Sequence, residues 1–98
     1  MSIAKQYLKT KSVCKVTFTV PAEEAKNVAV VGDFNDWKPT QGELKRLKNG
    51  NFKGTFDLPK DSEYEFRYLI DGSYINDTEA DRYQWNDYAG TENAVLVI

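Results

Sequence analysis

Hydrophobic and polar residues alternate with a period of two over much of this chain, the signature of strands with one wet face. Cys14, Val16, Phe18 and Val20 alternate with Lys15, Thr17 and Thr19, and Pro21 closes the run. Phe52, Gly54, Phe56 and Leu58 alternate with Lys53, Thr55 and Asp57. Tyr64, Phe66, Tyr68 and Ile70 alternate with Glu63, Glu65, Arg67 and Leu69, so Arg67 falls on the wet side of its strand. Two apolar runs, 28–32 and 94–98, are long enough for strands and too short for helices. Turn chemistry separates these runs. Asn49-Gly50 and Asp71-Gly72 are favoured hairpin pairs, because both central positions of a two-residue turn need positive φ. Only 22–26 and 43–48 have room for a helical turn, and neither covers a sheet.

Short strands that are each apolar on one face must bury those faces against one another. The pattern therefore predicts an all-β antiparallel sandwich of roughly six to eight short strands. Residues 1–11 are polar and lysine-rich, and read as a loosely ordered leader or a first edge segment; the sandwich domain occupies 12–98. No internal repeat interrupts it.

Composition narrows the function more than the fold. A chain of 98 residues carries one domain with an ordinary core. Thirteen basic against fifteen acidic residues, with signs mixed, offer no field for nucleic acid or an anionic membrane. The start of the chain lacks a secretion pattern and no run reaches membrane-spanning length, so the cytoplasm is the expected setting and a monomer the default. The single Cys14 shares the parity of the apolar residues around it and reads as a buried side chain.

Catalysis has little to work with. Histidine is absent, which removes the commonest general base, and Cys14 has no imidazole to activate it. Asp33, Asp36, Asp71, Asp77, Glu79 and Asp81 raise the question of two-carboxylate glycoside hydrolysis. The first four sit in turn contexts, where Asp bonds local backbone. A domain this small also offers no deep cleft to raise an acid's pKa. The 77–81 cluster matches no calcium-loop spacing. Neither a catalytic residue, a cofactor nor a metal is expected.

What stands out is aromatic residues in polar loops. Trp37 follows a strand in Gly32-Asp33-Phe34-Asn35-Asp36-Trp37-Lys38-Pro39, Tyr74 follows the Asp71-Gly72 turn, and Tyr83, Trp85 and Tyr88 lie within 76–93. Such rings, each burying about 150–250 Å², either cap a core edge or receive a ligand. A flat ring can stack on the C–H face of a pyranose while amides and cations bond its hydroxyls. Tyr83 and Trp85 read as edge packing.

From Val28 to Ile98 the chain resembles the family-48 carbohydrate-binding module. This is the immunoglobulin-like early-set domain of isoamylases and glycogen branching enzymes, and the glycogen-binding domain of the AMP-activated protein kinase β subunit. The resemblance rests on Val30-Val31-Gly32-Asp33-Phe34-Asn35-Asp36-Trp37, on Tyr64-Glu65-Phe66-Arg67-Tyr68-Leu69-Ile70-Asp71-Gly72, and on Ala89-Gly90-Thr91-Glu92-Asn93-Ala94. It implies binding of α-1,4-glucans, with Trp37 as the first stacking ring and Arg67 in place of a hydroxyl-bonding lysine. It also implies Tyr74 in place of a second stacking tryptophan, and Thr91 and Asn93 as a polar pair. Ala89 replaces an inserting leucine, a contact that neighbouring Tyr88 is placed to supply. Other readings stay open: Arg67 as a solvated cation paired with Glu65 or Glu63, Trp37 folded over the sandwich edge, and Asn93 as a strand-entry residue. At the level of function the alternatives are a module docking on a glycan-processing enzyme with an eroded sugar site, or descent from a glycoside hydrolase or branching enzyme.

Overall fold

The computed structural model describes residues 1–98. Its strands are β1 (Ser2–Tyr7), β2 (Val13–Pro21), β3 (Val28–Gly32), β4 (Lys45–Arg46), β5 (Asn51–Pro59), β6 (Glu63–Ile70), β7 (Ser73–Ile75), β8 (Arg82–Asn86) and β9 (Thr91–Val97). One sheet has the order β1-β2-β5-β4; the other runs β3-β6-β9-β8, with β7 also paired to β6. Every pairing is antiparallel. The architecture is the expected all-β sandwich. Nine strands form, rather than roughly six to eight. Those outside the five runs, β1, β4, β7 and β8, are too brief or too polar to stand out in the pattern.

Of the two readings of residues 1–11, a loosely ordered leader or a first edge segment, Ser2–Tyr7 take the second. Ser2 to Tyr7 pair with β2 in continuous register, from Ser2↔Thr19 to Tyr7↔Cys14. The open backbone edge of β2 supplies partners, and Met1 and Ile3 pack against the core. The Lys5 ammonium fastens this edge strand to the other sheet, donating to Asp81 at 2.7 Å and to the Val97 carbonyl at 2.9 Å.

Between the sheets, period-2 alternation becomes burial. Cys14, Val16, Phe18 and Val20 are fully buried on β2, and face Val28, Val30, Phe66, Tyr68, Ala94 and Leu96 from the other sheet. Phe18 is the hub. Its ring centre lies 5.6 Å from that of Phe66, 6.0 Å from those of Phe34 and Phe56, and 6.2 Å from that of Tyr68.

Tyr68 brings a hydroxyl into this apolar space, where it needs a partner. It donates to Asp77 Oδ2 at 2.7 Å, while Asp77 Oδ1 accepts the Glu79 amide at 2.7 Å and the Asp77 carbonyl accepts the Tyr83 hydroxyl at 2.7 Å. Asp77 is thus turned inward and Asp81 toward Lys5, so the acidic 77–81 stretch diverges instead of converging on a cation. Burial, and then the Asp77 carboxylate, push the Tyr68 phenol far above its ordinary value of 10.0. The neutral phenol is the form the fold favours, so its contribution is intact below pH 10 and is lost as the unfolded chain ionises above it. The thermal midpoint should therefore fall above pH 10, and Tyr68→Phe should flatten that fall; an identical alkaline profile in the variant would refute this origin.

The connection after β3 departs from expectation. Short 3-10 turns form at Asp33–Asn35 and Pro39–Gln41. Residues 22–26 hold a single hydrogen-bonded turn, Ala25 N to Ala22 O at 2.9 Å, and 43–48 contain β4. Asp71-Gly72 makes the expected two-residue hairpin, with φ of 47° and 87°. At Asn49-Gly50 only Gly50 takes positive φ, because the Leu47 amide bonds the Asn51 carbonyl at 2.7 Å and closes a three-residue loop.

Candidate functional site

The segment from Asp33 to Leu44 folds back against β3 and carries Trp37. Asn35 is its anchor: the buried carboxamide accepts from the Gly32 amide at 3.0 Å through Oδ1 and donates to the Val30 carbonyl at 3.0 Å through Nδ2. The Val30 amide bonds the Gly42 carbonyl at 2.8 Å, and the Leu44 amide bonds Val28 at 2.9 Å. Val31 is consequently buried although it points away from the sandwich core. Gly42 is required here, since a Cβ would strike the Val30 carbonyl oxygen.

Trp37 sits at the end of this construction in an uncommon backbone state. Asp36 and Trp37 are both left-handed, with φ of 53° and 59°. For residues bearing a Cβ that conformation costs roughly 1–2 kcal/mol each. Two bonds hold it: the Trp37 amide to Gly32 O at 3.0 Å, and indole Nε1 to Asp33 Oδ1 at 3.2 Å. Asp33 Oδ2 in turn accepts the Glu65 amide at 2.9 Å, joining the loop to β6. The indole is half-buried and oriented by its bond to Asp33.

Trp37 borders a groove of about 710 Å³ on the outward face of the second sheet. Its floor comes from Glu65 of β6, Asn93 and Val95 of β9, and Arg82 and Gln84 of β8; Tyr88 and Trp85 border it from the β8–β9 side. The lining is mainly polar with aromatic margins, a composition suited to a hydroxylated ligand with apolar ring faces. Arg82 grips Glu63 with Nε and Nη2 at 3.1 Å each, and Nη1 donates to Gln84 Oε1 at 3.3 Å. That guanidinium holds the Glu63 carboxyl below its usual range, and the carboxylate raises Arg82. Because the pair is exposed, it organises the groove more than it stabilises the fold.

The structure brings some of the expected site residues together and separates others. Trp37, Asn93 and Tyr88 line the groove. Arg67 adjoins it, donating from Nε to Asn93 Oδ1 at 2.7 Å and from Nη2 to the Glu92 carbonyl at 3.1 Å. Its ion pair with Glu65 or Glu63 does not form: Arg82 occupies Glu63, and Glu65 Oε1 accepts Asn93 Nδ2 at 3.2 Å. Asn93 is buried and engaged on both sides. Thr91 lies opposite Asn86 at the start of β9, beside the groove. Tyr74 lies on β7 opposite Leu69, on the same outward face as Arg67, 58% exposed and beyond the groove lining. Tyr88 is fully exposed on the β8–β9 hairpin.

Among the groove residues not expected in the site are Arg82, Gln84 and Trp85. The first two were legible as the polar half of an alternation with Tyr83 and Trp85. Edge packing describes Tyr83, whose hydroxyl is tied to Asp77, but Trp85 is 56% exposed and its Nε1 donates to Asp87 at 2.6 Å.

A family model described as the glycogen recognition site of AMP-activated protein kinase matches residues 14–98. The chain belongs to that family. The match starts within β2, so the edge strand β1 lies outside it. Over 57 residues, 57% of this chain, it is 39% identical to a 1,4-alpha-glucan branching enzyme of Bacillus cytotoxicus. Over 71 residues, 62% of this chain, it is 35% identical to the 1,4-alpha-glucan-branching enzyme of Saccharomyces cerevisiae. The matched segments make up only 9% and 10% of those enzymes. No helix of this chain is long and apolar enough to cross a membrane.

Proposed function

We propose that this domain binds α-1,4-glucans, glycogen or maltooligosaccharides, without transforming them. Trp37 is the stacking platform, Arg67 and Asn93 the polar support, and the exposed Tyr88 a second ring in place of the contact that Ala89 lacks. The observation that carries this reading is Trp37 held in a left-handed backbone at the margin of a polar groove. Backbone strain maintained by surrounding bonds is a pointer to function. Membership of a glycogen-recognition family supplies the ligand class. Thr91 lies near enough to the groove to assist, and Tyr74 serves a ligand where the glucan continues along β6 past Arg67 toward β7.

The test is a titration with maltoheptaose or β-cyclodextrin, followed by tryptophan fluorescence. Saturable binding is expected at ~1 mM to 1 µM, equivalent to about -4 to -8 kcal/mol. Stacking and hydroxyl bonding to a neutral ligand should make it nearly independent of salt. No saturable change at millimolar sugar would overturn the reading, and a reducing-sugar assay on glycogen should stay blank. Both relatives carry the matching segment inside much longer branching enzymes, which favours a glucan-processing enzyme as the activity this domain serves. A cytoplasmic setting suits the buried free thiol of Cys14.

A further inference from the structure

Gln84 on the groove floor is a hydrogen-bonding side chain that the protein leaves half used. A row runs across three neighbouring strands: Arg67 on β6 bonds Asn93 on β9, and Asn93 pairs across the ladder with Gln84 on β8. The first two members are occupied. Arg67 is engaged by Asn93 and by the Glu92 carbonyl, and Asn93 has its oxygen on Arg67 and its nitrogen on Glu65. Gln84 differs. It is exposed, its Oε1 accepts only the Arg82 guanidinium at 3.3 Å, and its Nε2 donates to no protein group. The Arg82–Glu63 pair sets that asymmetry, since two guanidinium nitrogens grip the carboxylate and the third is left facing the amide oxygen. An amide whose oxygen is already taken presents two N–H donors, and a sugar hydroxyl is a natural acceptor for them.

We propose that Gln84 recognises a sugar hydroxyl through Nε2, so that β8 adds a subsite to the one centred on Trp37. This rests on the glucan reading above and extends it from one ring to a longer stretch of chain. Short oligosaccharides are satisfied by the Trp37 end of the groove; longer ones reach Gln84.

The experiment titrates maltotriose and maltoheptaose against the full chain and its Gln84→Ala and Gln84→Glu variants, by calorimetry or NMR shifts. One lost hydrogen bond of ordinary strength should weaken maltoheptaose about two- to tenfold. Maltotriose should be unaffected. Gln84→Glu retains an oxygen for Arg82 but lacks the N–H donors, and should lose as much as Gln84→Ala. Wild-type maltoheptaose affinity in both variants would overturn the proposal. Retained affinity in Gln84→Glu alone would overturn the donor role, and equal losses for both sugars would overturn the separate subsite. An unmodified chain that binds neither sugar refutes the glucan reading itself, an outcome distinct from binding that ignores Gln84.

Discussion

Trp37→Ala should reduce glucan affinity by at least about thirtyfold, or roughly 2 kcal/mol, the loss typical of a central aromatic anchor. An indole is a large apolar surface, and this one is oriented before any ligand arrives by Asp33 at 3.2 Å and by the loop bonds around Asn35. Truncation removes the platform but leaves the scaffold. Asp33 still accepts the Glu65 amide, Asn35 still spans Gly32 and Val30, and alanine inherits the same left-handed strain. Stability should therefore change by less than about 1 kcal/mol, since the ring is only half-buried. Calorimetry or NMR is the right readout, because Trp85 remains and would complicate fluorescence. A folded Trp37→Ala protein with wild-type affinity would remove the groove from the glucan reading.

Phe18→Ala is the counterpart for the fold, expected to cost about 3–5 kcal/mol. Small domains have a total stability of about 5–15 kcal/mol, so this change takes a large share. Phe18 is fully buried and its ring meets Phe34, Phe56, Phe66 and Tyr68 within 6.2 Å, so it couples both sheets and the segment that precedes Trp37. Collapse into the space is limited, because the cavity walls are themselves aromatic rings packed on one another. Urea unfolding should show a much lower midpoint. A loss below about 1 kcal/mol would mean that the core relaxes around the cavity.

Much of this molecule was legible in its residue pattern because side-chain direction in a strand is local. Alternation at Cys14–Val20, Phe52–Leu58 and Tyr64–Ile70 predicts which side of each strand is buried, and the buried residues of β2, β5 and β6 lie on those sides. Arg67 on the wet face and the Asp71-Gly72 turn follow from equally local chemistry. The motif around Trp37 carried the family likeness, which the match over residues 14–98 confirms.

Tertiary structure decided what local pattern cannot reach. Whether residues 2–7 pair depends on β2 offering a free edge, which belongs to another stretch of chain. Val31 and Val95 are buried on the outward face because a returning loop and the groove side chains cover them. The groove exists because the registers of β6, β9 and β8 align Arg67, Asn93 and Gln84, while β7 sets Tyr74 on Arg67's face beyond the groove lining. The residues by themselves determined a sandwich, a wet face and a Trp37 loop. Strand pairing and loop return decided which side chains share a site, because those depend on contacts between residues far apart in the chain.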